Sequence, residues 1–178
     1  PNKRILDEFL EEKVNLIFIL DCGTSSNDIL DNSRYSNVDI IVIDHHISDN
    51  NLPKVYSLIN PNRYDEINSL KDLASVGVTF LFLLGLRKKL REKNFFETIN
   101  EPNLLLFLDL VALGTICDVV KLRDYNRIIV SKGIEILKKR NHKGISKIID
   151  NSNIYNPPTS SDLGYIIGPQ LNAASRMN

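Results

Sequence analysis

The sequence predicts an α/β domain built around a parallel sheet with helices on both faces. Three observations carry that expectation. Short runs of β-branched and aliphatic residues, Val14–Leu20 and Asp39–Ile43, each end abruptly in an acid, Asp21 and Asp44. A polar stretch between them, Ser25–Asn37, has room for a short crossover helix, and strand–helix–strand units place neighbouring strands parallel. After residue 73 the hydrophobic pattern lengthens into helical segments.

In chain order, Pro1–Lys13 is charged and amphipathic, with Ile5, Leu6, Phe9 and Leu10 at helical spacing. Ile40–Ile43 is four apolar residues in a row, the pattern of a strand covered on both faces. Lys54–Ile59 is a third strand candidate, closed by the turn signal Asn60-Pro61-Asn62. Ala74–Lys89 predicts a long, largely buried helix whose tail carries Arg87, Lys88, Lys89, Arg91 and Lys93. That tail suits a solvated helix C-terminus or, alternatively, a phosphate-binding patch. Pro102 fits the first turn of a helix expected to stop near Gly114. Asp109 inside it reads as a hydrogen-bonded structural acid or as a catalytic one. Asp124–Arg140 and Gly144–Asp150 predict two more helices, with His142 solvated between them. Asn151–Ser161 has a linker's composition. The expected organisation is one domain over residues 1–150, lacking strands at its N-terminal side, with 151–178 leading toward a further domain. The chain starts at Pro1 and ends within a patterned segment, as an excised piece of a longer protein would.

Composition narrows the class. A hydrophobic content of 43% supports a real core, and the balance of 22 basic against 22 acidic residues removes any global signature of nucleic-acid binding. Two cysteines, Cys22 and Cys117, cannot make a disulfide framework, so a reduced, cytoplasmic protein is expected. The longest apolar runs, Val76–Leu86 and Leu104–Leu108, are too short for a bilayer. No signal peptide opens the chain.

The polar groups that terminate apolar segments are Asp21, Asp44, His45, His46 and Asp118. On neighbouring parallel strands, Asp21 and Asp44-His45-His46 would lie roughly 5 Å apart at the sheet edge where α/β proteins bind ligands. Three carboxylates and two imidazoles suit Mn²⁺ or Mg²⁺ better than a structural zinc. Two such ions bridged by a carboxylate activate water and clamp the leaving oxygen of a phosphoester. The alternatives at this stage are a self-satisfied polar cluster and, with Cys22 and Cys117 adjoining Asp21 and Asp118, a mixed thiolate site.

The chain also resembles the DHH phosphoesterase family, specifically its branch of single-stranded-DNA-specific exonucleases. The matching stretches are Asp21-Cys22-Gly23-Thr24-Ser25, Asp44-His45-His46, Leu58–Asn62, Leu73–Val78, Leu108–Leu122 and Gly168–Arg176. The resemblance implies that Asp21 bridges two Mn²⁺ ions and that His45 and Asp118 are further ligands. It implies that His46 sits by the scissile phosphate, that Asp44 orients its neighbours, and that Asn172 and Arg176 hold the substrate phosphate. The implied reaction is 5′→3′ hydrolysis of single-stranded DNA to mononucleotides in repair and recombination, with single-stranded-DNA-binding protein as a partner and no membrane. The family's Asp-x-Asp element is absent from the sequence, so an incomplete two-metal site and an inactive isolated fragment are expected. Gln170 and Ser175 replace the family's usual Arg and Gly, which removes a bidentate phosphate clamp. A small DHH phosphodiesterase acting on short oligonucleotides or nucleoside bisphosphates, or a non-catalytic scaffold with this fold, are the competing readings.

Overall fold

The computed structural model describes residues 1–154 and 157–175. The chain divides into two compact units, Pro1–Thr79 and Phe80–Asn178.

In the first unit, helix α1 (Lys3–Glu11) is capped by Asn2, whose side chain accepts from the Arg4 amide at 2.9 Å. Strand β1 (Leu16–Leu20), short helix α2 (Asn27–Leu30), β2 (Asp39–Ile43) and β3 (Ser57–Ile59) follow. The three strands are parallel in the order β1-β2-β3, and Leu20 registers with Ile43 and Ile43 with Ile59. The central strand β2 is the one with the continuous apolar run. Ile40, Val42 and Ile43 are all buried, as two-sided cover requires. β1 alternates instead: Ile17 and Ile19 face a core with Leu6, Leu30, Tyr35, Ile40 and Val42, while Leu16, Phe18 and Leu20 are exposed. The expected third strand shortens to its last three residues.

Helix α3 (Ser75–Glu92) begins in this unit. Its composition overstates its burial: Leu81, Leu83 and Leu86 remain exposed, because a core covers only one stripe of a helix. Its basic tail is partly neutralised by acids. Lys89 pairs with Glu92 at 2.8 Å, and Arg87 and Arg91 both reach Glu101.

The second unit holds α4 (Leu108–Cys117), α5 (Asp124–Leu137), α6 (Lys143–Asn151), α7 (Ser160–Asp162) and α8 (Gly168–Ser175), the last two joined by a π-helical turn at Leu163–Ile167. The helix expected from Pro102 to Gly114 starts later and runs through Gly114 to Cys117. A 3-10 turn at Leu104–Phe107, capped by Asn103, takes up the start. A glycine in an apolar helix costs only about 1 kcal/mol, which burial of Val111, Ala112 and Leu113 outweighs. α4 and α5 approach so closely that a Cβ on Gly133 would overlap the Leu108 carbonyl oxygen and the Ala112 Cβ. Leu113, Leu137, Ile145 and Ile149 form this unit's core together with Leu163 and Ile167. The segment after residue 150 thus contributes two fully buried side chains. A reciprocal cap starts it: Thr159 accepts from the Asp162 amide at 3.3 Å, and Asp162 accepts from the Thr159 amide at 2.8 Å.

Candidate metal centre

The three strands end in polar residues at one edge. Backbone pairing continues one residue beyond them: the Asp21 amide donates to Ile43 O at 2.9 Å and the Asp44 amide to Ile59 O at 3.0 Å. The chain then turns sharply. Asp21 adopts a left-handed conformation (φ 63°), which aspartate tolerates better than most residues. Gly23 follows at φ 113°, where a Cβ would press on Val42 at 3.1 Å. This turn leaves the Asp21 carboxylate exposed and brings the Thr24 amide back toward Asp44.

Asp44 is only 1% exposed and is the hub of the edge. One carboxylate oxygen accepts from the Thr24 amide at 3.0 Å. The other accepts from the His45 amide at 2.7 Å and the His46 amide at 3.3 Å, and from the His46 ring Nδ1 at 2.7 Å. Burial alone would raise its pKa. Hydrogen bonds from His46, Thr24 and the His45 backbone outweigh burial and hold it at about 2. Asp44 is therefore an anion with its acceptors fully engaged. It turns inward to position its neighbours.

Two asparagines hold the loops from below. Asn60 is 4% exposed, and its Nδ2 donates to Thr24 Oγ1 and to His46 O, both at 2.8 Å. Asn62 donates to His45 O at 2.6 Å and to Lys71 O at 3.0 Å. The buried Ser75 hydroxyl donates to Ile43 O at 3.1 Å. In the sequence Asn60-Pro61-Asn62 is a turn signal and part of a family-like stretch, with no site role assigned to either asparagine. The signal was present: Asn60 follows β3 as Asp21 follows β1 and Asp44 follows β2.

These constraints set the tautomers. His45 Nδ1 contacts the Leu73 carbonyl at 3.2 Å, and His46 Nδ1 contacts the ionised Asp44. Both partners can only accept, so Nδ1 carries a proton in each ring, and in the neutral imidazole the lone pair is then on Nε2. His45 Nε2 stands 3.6 Å from Asp21 Oδ1, and its ring lies 4.6 Å from that of His46. One ligating atom from each of Asp21, His45 and His46 falls within 4.8 Å of the others. A carboxylate and imidazole lone pairs drawn together repel unless a cation sits among them. The Asp21–His45 gap exceeds a hydrogen bond and is comparable to the spacing, roughly 3–4 Å, of two ligand atoms about 2.1 Å from one ion. The donor set fits a divalent first-row ion and includes no thiolate. Cys22 is exposed, while burial first, and then the nearby Asp118 charge, push the Cys117 thiol up.

The other expected site residues lie in the second unit. Asp118 is exposed and is the C-cap residue of α4, its amide donating to Gly114 O at 2.9 Å. Asn172 is exposed on α8. Arg176 lies outside the described residues. His142 is not simply solvated: its Nε2 lies 3.2 Å from Oδ1 of Asp109, which is 1% exposed, and its ring centroid is 5.7 Å from that of Phe107. Asp109 Oδ1 also accepts from the Leu110 amide at 2.8 Å, the behaviour of a structural acid.

Residues 1–115 match the DHH family, N-terminal domain. The chain is 40% identical over 167 residues to the single-stranded-DNA-specific exonuclease RecJ of Dickeya dadantii, covering 92% of this chain and 29% of that protein. It is 38% identical over 178 residues to RecJ of Escherichia coli, covering 98% and 31%. The chain thus spans about three-tenths of the length of these curated relatives. Among solved structures it is similar to exonuclease RecJ bound to manganese, with TM-score 0.81 and 26% identity over 99% of this chain and 42% of that one. RecJ from Thermus thermophilus in complex with Mn²⁺ gives TM-score 0.79 and 28% identity, covering 99% and 25%. No helix among the described residues is long and apolar enough to cross a membrane. The acid and paired imidazoles at the parallel strand ends are thus set in a recognisable frame: the chain belongs to the DHH family and is similar to its RecJ exonucleases.

Proposed function

We propose that this chain is catalytic core from a metal-dependent exonuclease that hydrolyses single-stranded DNA 5′→3′ to mononucleotides in repair and recombination, in the cytoplasm. The observation that carries the reading is the convergence of Asp21, His45 and His46, with the Nδ1 of each ring held by a fixed acceptor. Asp21, His45 and Asp118 would hold Mn²⁺ or Mg²⁺. Such ions, once bound, activate a water and stabilise charge on the phosphoryl and leaving oxygens. Asp44 keeps the His46 proton on Nδ1 and so presents Nε2 toward the scissile phosphate. Asn172 and Arg176 would bind substrate phosphate, and single-stranded-DNA-binding protein is the proposed partner.

Two measurements test this. Mn²⁺ binding to the chain, followed by electron paramagnetic resonance, is expected to be lost in His45→Ala and Asp21→Ala. In a chimera where this chain replaces the matching region of E. coli RecJ, end-labelled single strands should release mononucleotides from the 5′ end in a His45-dependent way. A folded chimera that binds Mn²⁺ yet leaves single strands intact refutes the activity.

A further inference from the structure

We infer a second contact surface for single-stranded DNA, distinct from the Asp21, His45 and His46 cluster, where α5 ends and α6 begins. Residues 138–147 contain Lys138, Lys139, Arg140, Lys143 and Lys147 and no acid, in a chain whose net charge is zero. The α3 tail has a similar density of cations, but three of its five pair with Glu92 or Glu101. The second cluster differs. Arg140 pairs with Asp150 at 3.0 Å and donates to Ser146 O at 2.9 Å. The four lysines are exposed, and none has an acid within ion-pair distance among the described residues. Arg140, Lys143, Ser146, Lys147 and Asp150 line one surface depression.

The lysine charge is therefore unpaired, and the depression stays net positive through Lys143 and Lys147 beyond the Arg140–Asp150 pair. Lys143 and Lys147 are one turn apart on α6, so both ammonium groups project from the same face. The N-cap of that helix, His142, makes no side-chain capping bond, so the amide end of α6 adds to the positive potential. Such a surface fits a polyanion held by its phosphates, without sequence readout. Phe107, 44% exposed, stands beside His142, next in sequence to Lys143. An exposed ring packed on the residue that precedes Lys143 offers a face on which the bases of a single strand can stack. The choice of DNA rests on the exonuclease reading; the patch itself does not.

The test is oligonucleotide binding by the full 178-residue chain in EDTA, so that metal and hydrolysis play no part. The probes are fluorescein-labelled dT and dA oligomers across a salt series. Lys138→Gln/Lys139→Gln/Lys143→Gln/Lys147→Gln should weaken binding by about tenfold or more at low salt. It should also flatten the slope of log affinity against log salt by roughly 3, about 0.7 for each lost phosphate contact. The control quartet Lys88→Gln/Lys89→Gln/Arg91→Gln/Lys93→Gln removes the same charge and should stay within about twofold of the parent. Both oligomers should respond alike. Equal losses from the two quartets, or competition by an acidic peptide as effective as by DNA, overturn the proposal. A folded, Mn²⁺-binding chimera that leaves single strands intact, while the 178-residue chain still binds the oligomers, counts against the catalytic reading alone.

Discussion

Asp44→Asn is the most informative single change. It leaves shape almost untouched and replaces one carboxylate oxygen by a donor. If the amide oxygen keeps the side with the His45 amide, the His46 amide and His46 Nδ1, the new NH2 faces the Thr24 amide. If it keeps Thr24, three donors lose their acceptor. Either way a buried donor is left facing a donor, at a cost of about 1–3 kcal/mol. The displaced carboxyl pKa, set by those same hydrogen bonds, gives a similar figure. The gap between an ordinary 3.8 and about 2 corresponds to roughly 2 kcal/mol. For a chain of this length that lowers the melting temperature by roughly 4–8 °C. The sign with pH follows. Because folding depresses this pKa, the carboxylate's contribution is complete above about pH 4 and is lost as pH falls toward 2. Thermal melts of parent and variant should differ by a constant amount from pH 5 to 8 and converge below pH 4. Mn²⁺ affinity should drop about 10- to 100-fold as the backbone that carries the ligand His45 loses its fixed Asp44 anchor. A variant that melts within 1 °C of the parent at pH 7 and binds Mn²⁺ equally well refutes the hub role of Asp44.

Gly133→Ala drives a methyl group into Leu108 O and Ala112 and should destabilise the chain by about 1–3 kcal/mol, read from urea denaturation. His142→Ala removes the group facing buried Asp109 and should cost about 1–3 kcal/mol, whereas a truly solvated histidine would cost almost nothing. Asp118→Ala should abolish metal-dependent hydrolysis in the RecJ chimera while its circular dichroism spectrum stays unchanged; near-normal turnover would remove Asp118 from the ligand set. Gly23→Ala, strained at φ 113° and pressed on Val42, should lower both stability and Mn²⁺ affinity, because the Asp21 turn depends on it.

The sequence by itself determined the strands and the acids that end them. A buried parallel strand must be a short apolar run, and a polar residue marks where its cover stops, so β1, β2, Asp21, Asp44 and the histidine pair are local signals. It also carried the family, because the quoted motifs are contiguous. Tertiary structure decided what those groups do. Asp44 and Asp21 look alike along the chain, yet one is buried among four donors and the other is exposed beside an imidazole. That difference comes from Thr24, Asn60 and Leu73, which reach the edge from other segments. The same holds for His142. A polar turn looks solvated until α4 places a buried carboxylate beside it. Helical register through Gly114 was likewise set by packing, since burial on α5 outweighs one glycine's propensity. Hydrogen-bond partners distant in sequence leave no periodic trace, so only the folded chain could assign them.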